Sequence, residues 1–431
     1  MKILNTQSLN FYKDLNIILN KRSQNNMPVI DEAVKKIIDN VINNGDDALI
    51  EYALKFDNSK IDKNNIFLTE DVRYSYKGNV DKEVMDAFRI AIKNIKRYHE
   101  MQIPSNYEIN NGGVKTASLW KPIKSVGLYI PGGTAVYPST LLMNVIPAKV
   151  AGVERIAIAT PSKFNEVNPY ILALLDELDI HEVYQVGGAQ AIAALAYGTK
   201  TIVPVNKIFG PGNAYVASAK KQVFGKVGID LLAGPSEIIV VADETNNPEW
   251  VASDLIAQAE HDERAQSILI TDNNRFALEV ISNLDKLSSK LPKYATIKSS
   301  LENYGASIIV NSLQEIIKII DFIAPEHLHL QNKSKYKILE KISNVGGIFV
   351  GEYSTEAFGD YIVGTNHILP TSGTSKFSSG VGVLDFMKRS SYVEMDYKGY
   401  QMHKENVLKM AQVENLEGHK LSVKIRQIEK K

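Results

Sequence analysis

Val126-Gly127-Leu128-Tyr129-Ile130-Pro131-Gly132-Gly133 is an apolar run closed by a Pro-Gly-Gly break. Residues 156–160 closed by Pro161, and residues 183–186 closed by Gly187-Gly188, repeat the pattern, each followed by a helical stretch. β-Branched runs bounded by Gly or Pro and alternating with helices predict βαβ units around a parallel sheet. Asn168-Pro169 has the chemistry of a helix N-cap and first turn for 170–178, and Gly198 suits the stop of the Ala-rich helix 189–197. A second set of strands is expected at 238–242, 267–271, 306–310 and 347–350, so two α/β lobes should meet near residue 236. The first 100 residues read as helix-rich, with Val84, Phe88, Ala91, Ile95 and Tyr98 at helical spacing.

A chain of 431 residues exceeds the size at which one hydrophobic core stops growing. Its 49 basic and 49 acidic residues cancel, leaving no global field to attract nucleic acid or an anionic membrane, so a small-molecule ligand is expected. Polar sequence follows Met1-Lys2-Ile3-Leu4-Asn5, and no apolar stretch approaches the roughly 18 residues of a membrane span, so a cytoplasmic protein is expected. With no cysteine, disulfides, thiolate metal sites and covalent thiol catalysis are excluded.

Several short constellations carry chemistry. Gln258 and His261 lie three residues apart on a helix that Asn247-Pro248 is suited to start, a spacing compatible with two metal ligands or with an ordinary solvated helix face. Ala324-Pro325-Glu326-His327-Leu328-His329 follows a helix opened by Ser312 and Glu315 at capping-box spacing. There the Glu-His pair can supply acid and base from a Pro-marked turn, or be an exposed loop with two titratable groups. Asp360 and His367 stand in a Gly-rich stretch, Gly359 to Gly382, that is long for mere connection. Gly210-Pro211-Gly212-Asn213 precedes a helix whose N–H groups can receive an anion such as a pyrophosphate, or it is a plain turn. His99, His181, His329 and His403 lack such context and read as structural or solvated. The G-x-G-x-x-G nucleotide fingerprint is missing.

Taken in order, Tyr129-Ile130-Pro131-Gly132-Gly133, Val186-Gly187-Gly188-Ala189-Gln190-Ala191, Phe209-Gly210-Pro211-Gly212-Asn213, Ala233-Gly234-Pro235-Ser236-Glu237, Gln258-Ala259-Glu260-His261, Pro325-Glu326-His327, Gly364-Thr365-Asn366-His367-Ile368-Leu369-Pro370 and Glu414-Asn415-Leu416-Glu417-Gly418-His419 resemble the histidinol dehydrogenases across essentially the whole chain. The resemblance implies zinc- and NAD-dependent four-electron oxidation of L-histidinol to L-histidine through L-histidinal, in histidine biosynthesis. It implies one Zn2+ per subunit held by Gln258, His261, Asp360 and His419, with His419 reaching from the neighbouring subunit of a homodimer with a shared active site. Substrate contacts are implied at Ser236, Gln258, His261, His327, Asp360, Glu414 and His419, and NAD contacts at Tyr129, Gln190 and Asn213. His327 is implied as the base that removes the alcohol proton and Glu326 as the group that activates water for the aldehyde step. The alternatives are a zinc-dependent hydrolase or a non-catalytic, metal-stapled ligand-binding dimer of the same fold.

The expected architecture is α/β: two Rossmann-like lobes with parallel-rich sheets and no fingerprint, plus small helical N- and C-terminal segments that pack in a dimer. The expected division gives residues 1–25 to an N-terminal helical segment. Residues 26–128 and 237–381 form a first lobe carrying metal and catalytic residues, 129–236 a second lobe with NAD contacts, and 382–431 a helical tail reaching the partner. The loop 373–382 receives no role from the sequence.

Overall fold

The computed structural model describes residues 1–22, 27–132, 137–163, 166–232 and 234–427; Gly133 and Ala233, quoted above, lie outside them. In chain order the strands are β1 (Lys2–Asn5), β2 (Tyr107–Asn111), β3 (Val114–Pro122), β4 (Ser125–Tyr129), β5 (Arg155–Ala159), β6 (Glu182–Tyr184), β7 (Lys207–Phe209), β8 (Gly228–Ile229), β9 (Glu237–Val241), β10 (Gln266–Thr271), β11 (Ala306–Ile309), β12 (His327–Leu330), β13 (Gly347–Val350) and β14 (Met387–Met395). One sheet has the order β6-β5-β4-β7-β8 and a second β1-β11-β10-β9-β12-β13, all their pairings parallel. Apart from the added β1, both place the first strand of the lobe centrally and wind outward on either side, the doubly wound arrangement of mononucleotide-binding halves.

Local chemistry accounts for these elements. Strands β4 and β9 are buried along their whole length because helices cover both faces, which is why they read as unbroken apolar runs. The Asn168 side chain accepts from the Tyr170 N–H at 2.9 Å and opens the helix Pro169–Glu177, while Gly198 ends Gly188–Tyr197. Ser312 accepts from Glu315 N–H at 3.3 Å, but the Glu315 carboxylate turns to the Asn311 N–H and the Thr6 hydroxyl, so only half of the expected capping box forms.

Packing redraws the expected divisions. The helices Met27–Asn44 and Asp46–Asp57 bury Val34, Ile37, Val41, Leu49 and Tyr52 in one core with Tyr129, Ala157, Ile192 and Val216, so they pack with the lobe of the five-stranded sheet and not with residues 237–381. Leu68, Met85, Ala91 and Ile95 pack with Val126, Leu128 and Leu142 on the other face of that sheet, and the expected boundary between residues 128 and 129 falls inside β4. The N-terminal segment is not purely helical: β1 joins the edge of the six-stranded sheet, and Phe11, Leu15 and Ile18 of the helix Phe11–Lys21 pack on Ile239, Val241 and Ile308 of the same chain. The tail also begins with a strand. Antiparallel pairs β14·β3 and β2·β3 form a three-stranded sheet linking residues 107–122 to the C-terminal segment. Among the described residues no helix is long and apolar enough to cross a membrane.

Candidate active site

The catalytic candidates stand at the amino ends of β9 and β12, not on an exposed loop. His327 is the first residue of β12, registered against Ile238 of β9 and Gly347 of β13, and both Glu326 and His327 are buried. A central strand of a covered parallel sheet is buried on both faces, so His327-Leu328-His329-Leu330 disappears from solvent entirely. Ala324, at a φ of 54°, ends the helix Leu313–Ile323 in the left-handed region and turns the chain into Pro325 and the strand.

Glu326 Oε2 accepts the Glu237 N–H at 2.9 Å. Burial, then the neighbouring Glu237 carboxylate, push the Glu326 carboxyl well above the usual range, against that N–H bond. The His327 Nδ1 lies 3.1 Å from the Glu237 carbonyl oxygen. A carbonyl only accepts, so Nδ1 carries the proton in the neutral ring and Nε2 is the basic nitrogen. Nε2 is buried and has no hydrogen-bond partner among the described residues, and burial brings the imidazole down to about 4, keeping it neutral near pH 7.

Beside this pair lies a nest of oxygen and nitrogen donors. His261, Glu356 and Asp360 place one ligand atom each within 4.8 Å of one another. Gln258 is fully buried in the last turn of the helix Pro248–Ala259, which Asn247 caps as expected; His261 lies just beyond the helix end and is exposed, not on its face. Its N–H still reaches the Gln258 carbonyl at 3.3 Å, which carries both side chains to one side. The Gln258 amide meets both Glu356 oxygens, its nitrogen donating to them at 2.6 and 2.7 Å when the amide is turned to satisfy both groups. Burial, followed by the charges of Asp360, Glu326 and Asp254, holds the Glu356 carboxyl well above its usual range. Cysteine-free N/O donors of this kind fit zinc.

Glu356 escaped the sequence reading, although Glu356 and Asp360 stand four residues apart on the short helix Glu356–Tyr361 and so share a face. Glu237 and Arg22 were also missed. The Arg22 guanidinium pairs with Glu237 Oε1 at 2.5 Å, donates to the Arg264 carbonyl at 3.0 Å and also reaches the Pro235 carbonyl, fixing the chain on either side of Ser236. Nothing in the local sequence announces this, since the partners are separated by more than 200 positions.

His367 joins the site from the Gly-rich stretch: its Nδ1 is 3.1 Å from the Asp360 carbonyl and its Nε2 3.4 Å from the Thr140 hydroxyl of the other lobe. Just before the unassigned loop, Thr371 accepts from the Gly234 N–H at 2.6 Å and Ser372 N–H reaches Glu237 Oε1 at 2.9 Å, bracing the site floor; within the loop, Ser375 donates to the Ala324 carbonyl at 2.8 Å. His329 is structural, as expected, with Nε2 2.8 Å from the Gly351 carbonyl and Nδ1 3.2 Å from Asp254.

The structure does not bring Glu414 or His419 to this nest within one chain. Both lie exposed on the tail, His419 in the helix Glu417–Lys424. The remaining candidates gather at the carboxyl ends of the five-stranded sheet. The Tyr129 hydroxyl accepts the Gly188 N–H at 3.1 Å, and Gln190 is buried in the first turn of the helix that Gly188 begins. Asn213 acts as an N-cap, its side chain accepting from Tyr215 and Val216 N–H at 3.0 and 3.2 Å. Gly210 N–H donates to Asp230 at 2.8 Å, so these three N–H groups are hydrogen-bonded within the protein.

The histidinol dehydrogenase family model matches residues 20–427. The chain belongs to the histidinol dehydrogenase family. It is 42% identical over 427 residues to the histidinol dehydrogenase of Gluconobacter oxydans, covering 99% of each chain. With that of Rhodospirillum rubrum the identity is 45%, over 92% of each. The crystal structure of histidinol dehydrogenase from Elizabethkingia anophelis superposes with a TM-score of 0.93 at 34% identity, covering 99% of this chain and 98% of that one. The two-lobed fold is therefore that of the family, and the chain is an oxidoreductase acting on a CH–OH group.

Proposed function

We propose that the chain oxidises L-histidinol to L-histidine through L-histidinal, using NAD and one zinc ion per subunit. The observation that carries this reading is the buried, unpartnered Nε2 of His327, with its tautomer set by the Glu237 carbonyl, beside the nest of Gln258, His261, Glu356 and Asp360. His327 Nε2 takes the hydroxyl proton while the adjacent C–H bond gives up its hydride, which makes the aldehyde. Glu326 takes a proton from the water that adds to the aldehyde carbon, since only the hydrate has a second hydride to lose on the way to a carboxylate. NAD supplies the acceptor for each hydride, two per histidinol. Zinc, when bound, would supply a Lewis-acid template for the substrate. Gln258, His261 and Asp360 would hold it from this chain, and His419 of a second copy would complete the set.

Ser236 and Glu414 would contact substrate, and Tyr129, Gln190 and Asn213 the cofactor. The shared site is supported by the tail itself: the helix Tyr397–Val413 buries only Gly399 and Ala411, while Met410, Val413, Leu416, Leu421 and Ile425 are exposed, an apolar surface suited to a second copy. Histidine biosynthesis in the cytoplasm is the setting this reading implies.

The deciding test is NADH absorbance during turnover of limiting L-histidinol with excess NAD, before and after metal chelation. Two NADH per histidinol, abolished by the chelator and restored by zinc, is the expected result. One NADH reduces the enzyme to a simple alcohol dehydrogenase, and none favours a hydrolase or binding protein.

A further inference from the structure

The helix Asp46–Asp57 ends in a carboxylate whose position is unfavourable for the helix. A negative charge in the last turn faces the negative end of the macrodipole, where cations are preferred. Asp57 is half-buried, and among the described residues no hydrogen bond or ion pair reaches its side chain. Burial alone pushes its carboxyl up to about 6.

Its surroundings are the carboxyl ends of β4, β5 and β6. An Asp57 oxygen lies 3.3 Å from where a Cβ on Gly187 would stand, and Pro161 crowds the same position at 2.7 Å. Gly187 and Gly188 begin the helix Gly188–Tyr197 with no side-chain cap, and the Asp57 charge acts on the Tyr129 hydroxyl that holds the Gly188 N–H. Asp57 thus opens onto the same helix start as Tyr129 and Gln190, from an element remote in sequence.

The direction of a bound dinucleotide follows from the strand order. Strand β8 runs toward Pro235 and Ser236 beside the catalytic residues, whereas β6 is the opposite edge of the sheet, four strand spacings or about 19 Å away. A nicotinamide near His327 therefore sends the adenosine half toward β6 and Asp57. Doubly wound folds place an acid on the ribose hydroxyls in this way, because a carboxylate accepts from both members of a vicinal diol and repels a phosphate on either.

We propose that Asp57 receives the hydroxyls of the adenosine ribose and so selects NAD over NADP. This rests on the NAD reading above. The experiment is a fluorescence titration of the purified full-length protein and its Asp57→Asn and Asp57→Ala variants with NADH and with NADPH, with thermal melting of each unliganded protein. Loss of a hydrogen bond to a charged acceptor predicts NADH binding weaker by about tenfold or more. NADPH binding should be weakened less or strengthened, so that the preference for NADH collapses, and the melting temperature should stay level or rise as the charge leaves the helix end. Unchanged NADH affinity in Asp57→Asn overturns the proposal while leaving NAD binding intact, as does an equal loss for both nucleotides with a lowered melting temperature. A wild-type protein that binds neither nucleotide overturns the NAD reading itself.

Discussion

At the residue scale, the chemistry turns on which nitrogen of His327 is free. The Glu237 carbonyl accepts a hydrogen bond from Nδ1–H, leaving Nε2 as the acceptor, and the same residue's N–H donates to the Glu326 carboxyl. The backbone of one residue thus orients both members of the pair. His327→Asn should lower kcat by about 10²- to 10⁴-fold with both histidinol and histidinal measured as substrates. Glu326→Gln should fall more steeply with histidinal than with histidinol, since only the aldehyde step needs water activated; equal losses in the two half-reactions would remove the assigned division of labour. Glu326 and His327 were legible as residues through the family resemblance. Their burial was not: the sequence around Pro325 suggests a turn, and only pairing with β9 and β13 makes residues 327–330 a strand.

At the element scale, most of the strand–helix alternation was legible because the runs are apolar and end at Gly or Pro. Strands β9 and β10 each start one residue before the expected 238–242 and 267–271, where polar Glu237 and Gln266 continue the ladder under cover of other elements, and β9 also ends one residue earlier. The short strands β7 and β8 and the polar β2 and β14 gave no such signal; β2 and most of β14 are exposed, so no alternation of inward apolar residues marks them. In the helix Lys82–Glu100 the middle of the expected face holds, with Ala91 and Ile95 buried and Phe88 packed on the core, but at its ends Met85 and His99 turn inward in place of Val84 and Tyr98, which lie outside. The helix Phe11–Lys21 matters through its cap residue, Arg22, which ties it to Glu237 under the catalytic pair. Arg22→Met leaves the Glu237 carboxylate buried without its cation and should destabilise the fold by about 3–5 kcal/mol in denaturant unfolding. A loss below about 1 kcal/mol would show that the pair contributes little.

At the scale of the whole molecule, two sheets of like winding present different ends to the site. The five-stranded sheet offers carboxyl ends, as doubly wound folds usually do, while the six-stranded sheet offers the amino ends of β9 and β12. The donor nest so formed contains Gln258, His261, Glu356 and Asp360 but neither Glu414 nor His419, which stand on an exposed tail. A site completed by a second copy predicts complementation. Mixing and reassembling inactive Glu326→Gln and His419→Asn subunits should restore activity, to roughly a quarter of wild type if chains pair at random and each site takes its tail from the other chain. No recovery, with exchange of subunits verified by mass, would place His419 in its own chain's site.

Composition excluded thiol chemistry and a strong charge field, and the apolar periodicity set a two-lobed parallel α/β chain; both are properties of residues and their near neighbours. The ordered motifs named the family and its reacting groups. Tertiary structure alone decided that the helices of residues 27–57 cover the five-stranded sheet, that Glu356 joins the donor nest, that Arg22 and Glu237 lock beneath Glu326, and that Asp57 reaches Gly187. These are meetings between segments far apart along the chain, set by which apolar faces bury against one another, and residue type or spacing does not encode them locally.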